Sequence, residues 1–75
     1  MATTIRSISG VPTDALLDQL ATFSISEKDT FYLVELARMV KGKATWGPTP
    51  EAWKVEIVEI DRDRWHIYGS KKHDV

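Results

Sequence analysis

Cysteine is absent from the 75 residues of this chain. Disulfides and thiolate metal sites are therefore excluded, and nothing in the composition calls for an oxidising compartment. Asparagine is also absent, so there is no acceptor for N-linked glycans. Long apolar runs are missing too. The longest, Phe31 to Val34, falls far short of the ~20 residues of a membrane-spanning helix. The opening MATTIRSISG has no apolar leader region. The cytoplasm is the expected compartment. Neither sign of charge is in excess: 10 Lys and Arg against 11 Asp and Glu leave a net charge of −1. No strong overall field draws the chain to nucleic acid or to an anionic membrane.

Catalytic and ligand-binding signatures are equally sparse. The 4 glycines stand apart from one another, so no phosphate-cradling loop and no nucleophile elbow can be built from them. The 2 histidines are His66 and His73. His66 is expected in a strand opposite Glu59, which reads as an ordinary cross-strand pair rather than a base with its orienter. His73 with Asp74, and Asp61 with Asp63, do not make a closed metal-ligand set. The expectation is a protein with no catalytic residues, no metal site and no cofactor.

The length suits one small domain spanning residues 1–75. Such a domain buries only ~60% of the surface its unfolded chain exposes. Without disulfides or a metal, its core supplies about 3–5 kcal/mol. Packing and association are the remaining supports.

The strongest pattern lies between Ser26 and Gly42. Ser26 with Asp29 has N-cap spacing, and Glu27 and Asp29 put negative charge at the positive end of the helix dipole. Arg38, Lys41 and Lys43 lie near the other end, and Gly42 sits where a left-handed residue closes a helix. Phe31, Tyr32, Leu33, Val34, Leu36, Ala37, Met39 and Val40 fill well over half the circumference. A surface helix needs an apolar stripe only ~100° wide. This helix is expected to touch structure on two sides or to meet a second chain, with Glu35, Arg38 and Lys41 as its solvent strip.

Before it, Thr13 is a candidate N-cap for a helix from Asp14 to about Thr22, with Leu16, Leu17 and Leu20 on one face. The short connection makes the pair a helical hairpin or a helix-turn-helix corner. Residues 1–10, anchored only by Ile5 and Ile8, read as a partly tied tail or a third strand. Gly47, Pro48 and Pro50 break regular structure, and Thr49-Pro50-Glu51 suggests one helical turn ending near Trp53. From there to Ile60, and from Arg64 to Tyr68, Val, Ile and aromatic residues predict an antiparallel hairpin joined by Asp61–Arg64. A four-residue loop would pair Ile60 with Trp65, Val58 with Ile67 and Ile57 with Tyr68. One face would then carry Trp53, Val55, Ile57 and Tyr68, and the other Val58, Ile60, Trp65 and Ile67. Residues 70–75 read as a flexible polar tail. The predicted class is α+β: a helical hairpin packed on a β-hairpin, with the N-terminal segment as a candidate third strand.

Function follows from surplus. The helices can cover one hairpin face, and the other needs a partner. Trp is the residue most enriched in interface hot spots, and there are 3 here. The expected activity is that of a small non-enzymatic protein-binding module, a regulator or inhibitor that docks on a larger protein. Trp46, Val58, Ile60, Arg62, Arg64, Trp65 and Ile67 are its candidate partner-binding residues. A winged-helix DNA reader is the alternative, with Arg62 and Arg64 in its wing and Lys71 and Lys72 on phosphate. Asp61 and Asp63 would repel phosphate, and a third helix ahead of the wing is not evident. A structural homodimer through the central helix is the third reading.

Overall fold

The computed structural model of the chain describes residues 2–73. Strand β1, Ala2–Pro12, leads through a 3-10 turn, Thr13–Ala15, into helix α1, Leu16–Ala21. Helix α2 is Glu27–Met39, and strands β2, Lys43–Trp46, β3, Trp53–Asp61, and β4, Arg64–His73, complete the order. The strands form a single antiparallel sheet in the order β1-β4-β3-β2. The α+β class and the helical pair agree with expectation, but the sheet has four strands rather than a hairpin with one candidate addition.

Helix α2 begins as its sequence predicts. The Ser26 side chain accepts a hydrogen bond from the Asp29 N–H at 3.1 Å. Its C-terminus closes one residue earlier than expected. Lys41, at φ 57°, is the first left-handed residue after the cap, Gly42 follows at φ 79°, and the Gly42 N–H donates to Ala37 at 2.6 Å in a Schellman arrangement. Thr30, Leu33 and Ala37 form the buried side of the helix. Arg38 is not part of a plain solvent strip. Its guanidinium lies 5.6 Å over the Trp65 ring, and its Nε donates to Glu59 at 3.1 Å. Thr13 does not cap α1 through its side chain. Its hydroxyl instead receives the indole N–H of Trp65 at 3.2 Å, tying the start of the helical layer to β4.

Residues 2–12 form β1 rather than a tail. Ile8 and Val11 would face opposite sides of a regular strand. A register shift between them, with Gly10 at φ 74°, lets Val11 be buried and Ile8 pack against the same core. Likewise Gly69–His73 continue β4 opposite Ala2–Arg6, where a polar tail was expected. Asp74 and Val75 lie outside the described residues, as do the side chains of Lys72 and His73.

The hairpin register differs from the expected one by a single residue. Ile57 pairs with Ile67, Val58 with His66 and Glu59 with Trp65, and a bulge at Ile60 precedes the Asp61–Arg64 pair. A one-residue change of register moves every side chain to the other face. Trp65 and Ile67 therefore join Val55 and Ile57, and all four are fully buried with Leu16, Leu20, Phe23 and Leu33. Tyr68, expected on the covered face, lies on the opposite one. The outer apolar face of Val58, Ile60, Trp65 and Ile67 does not form as a unit.

Gly69 shows how closely helix and sheet approach. A Cβ there would lie 2.5 Å from Phe23 Cε1 and 3.2 Å from Trp53 Cε3. Phe23 is fully buried, with Trp53 edge-on at 5.3 Å and the Arg6 guanidinium 5.1 Å from its ring centre. In an ordinary strand Gly→Ala stabilises by roughly 0.5–1 kcal/mol. At this position Gly69→Ala is expected to destabilise by about 1–3 kcal/mol, because the Phe23 ring has nowhere to move. Chemical denaturation gives the sign. Trp65→Ala is expected to cost about 3–5 kcal/mol, as a core truncation does. A melting temperature close to that of the parent would show Trp65 to be peripheral.

Candidate functional site

Both helices pack on the face of the sheet that carries Val55, Ile57, Trp65 and Ile67. The opposite face has no covering element among the described residues. Strand alternation and register place on it Ile5 and Ser7 of β1, His66, Tyr68 and Ser70 of β4, Lys54, Glu56 and Val58 of β3, and Lys43 and Thr45 of β2. Its apolar members run diagonally from Ile5 through Tyr68 and Val58 to Ile60 beside the bulge. Ile5 is 58% exposed, Ile60 46% and Tyr68 39%, and Val58 is half-buried. Lys43 meets Glu56 at 3.2 Å, and Lys54 is exposed at the strand start. The His66 ring tilts over Tyr68 with centroids 6.3 Å apart.

His66 does not pair with Glu59. It stands opposite Val58, and its Nε2 makes a 2.7 Å hydrogen bond with Ser7 Oγ. Glu59 is instead the acceptor for Arg38. A hydroxyl and an imidazole at this distance are the first two parts of a nucleophile–base pair. Here they sit on a flat sheet, and no carboxylate among the described residues orients the imidazole from its other nitrogen. The arrangement is a cross-strand hydrogen bond. Among the described residues, no three His, Asp or Glu side chains converge as a metal-ion site.

The predicted partner-binding residues divide into four groups. Val58 and Ile60 belong to the open face. Trp65 and Ile67 are core and unavailable to a partner. Trp46 is half-buried at the edge of the helical layer, edge-on to Tyr32 at 6.1 Å. Arg62 and Arg64 are exposed at the hairpin tip, but Arg64 is already engaged. Its Nε and Nη2 donate to Asp61 Oδ2 at 2.9 and 2.7 Å, while the Asp63 N–H donates to Asp61 Oδ1 at 2.9 Å. Sequence reasoning missed Ile5 and Tyr68. The alternation of β1 would have pointed to Ile5, had its strand character been visible.

A groove of about 330 Å³ opens between the helices, lined by Leu16, Leu17, Thr30, Phe31, Val34 and Arg38 with Thr13 and Asp14 at its end. It is mostly apolar, and the cation on its wall is held by Glu59. No protein-family model, curated protein or solved structure matches this chain. Among the described residues, no helix is long and apolar enough to cross a membrane.

The hydrogen bonds from Arg64, and then that from the Asp63 N–H, hold the Asp61 carboxyl below its ordinary value of 3.8. A depressed carboxylate pKa contributes stability above the ordinary value, and the contribution is lost as pH falls through the depressed one. Arg64→Ala is expected to raise the Asp61 titration midpoint toward the ordinary value, as followed by NMR, while the melting temperature at neutral pH barely changes because the pair is exposed.

Proposed function

We propose that this chain is a small non-enzymatic protein-binding module, a regulator or inhibitor that docks on a larger protein through its open sheet face. One observation carries the reading: all the helical cover is on one side of the sheet, and Ile5, Val58, Ile60 and Tyr68 line the other. An antiparallel sheet can face water on one side when that side is polar. Here Tyr68 and Val58 stand on the two central strands beside Glu56 and His66, with Ile5 and Ile60 extending the apolar band to the edges, and aromatic and apolar groups set among charges are common at interfaces. Arg62 and Lys54 are exposed and have no ion-pair partner among the described residues, so their tips can meet acidic groups at the edge of the contact. The DNA-binding reading is weaker. Residues 47–52, where a winged helix needs a helix ahead of its wing, form a loop, and Arg64 is bound to Asp61.

Substitution of both Ile5 and Tyr68 by Lys tests the reading. Both side chains are exposed, so the melting temperature should stay within a few degrees of the parent. A partner captured from the native host by the tagged parent should bind the variant about tenfold or more weakly. Equal binding by parent and variant would rule out this face. A captured nucleic acid whose binding weakens steeply with salt would favour the DNA reading instead.

A further inference from the structure

The outward side of α2 is a second apolar surface, directed away from the sheet. Phe31 and Tyr32 are each 55% exposed and Met39 82%. Helical spacing groups them with Lys28 and Glu35 on the side opposite the buried Thr30, Leu33 and Ala37. We propose that this side binds a second copy of the chain, with the two α2 helices antiparallel about a twofold axis between Phe31 and Tyr32. The proposal goes beyond the docking role of the open face, because it uses the other side of the molecule.

Charge complementarity selects both the occupant and the register. Lys28 and Glu35 flank the Phe31–Tyr32 pair symmetrically, about 10 Å apart along the axis. Both are exposed, and neither has an ion-pair partner among the described residues. A twofold axis at the midpoint sets Lys28 of each copy against Glu35 of the other, so two identical ion pairs border an aromatic centre. This is the self-complementarity that an isologous interface requires. Sliding the helices until Phe31 meets Met39 would place Glu35 against Glu35, and like charges disfavour that register. A parallel pairing would set Lys28 against Lys28 and align the helix dipoles unfavourably. A contact of roughly 1,000 Å² in total would have the size of a weak, reversible dimer. Both open sheet faces would point outward from such a dimer, making it a two-sided binder.

Sedimentation equilibrium of the full chain between about 1 and 500 μM tests the proposal. The parent mass should rise from the 8.5 kDa of one chain toward twice that value. Lys28→Glu and Glu35→Lys should each weaken association about tenfold, and the double reversal should restore it to within about threefold of the parent. Ile5→Lys combined with Tyr68→Lys should leave the dimer intact, which separates this surface from the docking face. Circular dichroism at dilute concentration verifies the fold of each variant. The proposal is overturned if the parent stays at 8.5 kDa throughout, if the single reversals have no effect, or if the double reversal is no better than either single one.

Discussion

The sheet depends on which residue of β3 stands opposite which residue of β4. The bulge at Ile60 decides it. Without that extra residue Trp65 and Ile67 would fall on the face away from the helices, and Val55 and Ile57 would lose their neighbours. Burying a large apolar side chain is worth roughly 1.5–3 kcal/mol. The ladder hydrogen bond interrupted by a bulge is worth about 0.5–1.5 kcal/mol. Two large side chains outweigh one irregular bond, and the hairpin takes the bulged register. Arg38 then reaches across to Glu59 with its guanidinium over the Trp65 ring, and Thr13 receives the indole N–H. Sheet, helix α2 and the turn before α1 thus meet at a side chain that the bulge turned inward.

Local chemistry was legible and non-local pairing was not. Ser26 and Asp29 marked the start of α2, Gly47 to Pro50 marked the break, and the Val/Ile run marked β3. The bulge carries no such mark, because the residue there is Ile60 and not a glycine. Sharp reversals were hidden for the same reason. Ser24, Lys41 and Ala52 adopt positive φ values of 62°, 57° and 65°, yet none is the residue type that announces it. Strand β1 resembles a tail in sequence because Ile5, Ile8 and Val11 do not alternate: Ile5 and Ile8 serve opposite faces, and the irregularity near Gly10 brings Val11 to the side of Ile8. The candidate site inherited these errors. A one-residue slip exchanged Trp65 and Ile67 for Tyr68, so the idea of a half-covered sheet survived while half of its membership changed.

The apolar surplus noted along α2 also has a structural counterpart. Its inward side fills the core, and its outward side keeps Phe31, Tyr32 and Met39 in water. Tyr32 gains an edge-on contact with Trp46, yet the exposed half of each aromatic gives the fold little and carries some risk of aggregation. The chain therefore has two unsatisfied surfaces, one on each side of a thin core, and they differ in character. The helical one is compact and flanked by opposite charges, while the sheet is broad with one ion pair, Lys43 with Glu56, toward its edge.

Strand β4 lies between β1 and β3, and this order has a consequence for synthesis. Pro12 ends β1, and its neighbour does not begin until Arg64. At about 5–20 residues per second, the ribosome needs several seconds to make the intervening chain. Throughout that interval β1 has no strand to pair with, and both of its edges are open. A strand rich in Val and Leu would be a hazard to neighbouring nascent chains. Thr4, Arg6, Ser7 and Ser9 make β1 soluble while it waits. The polarity that disguised it as a tail is what permits the first strand to be among the last to find its place.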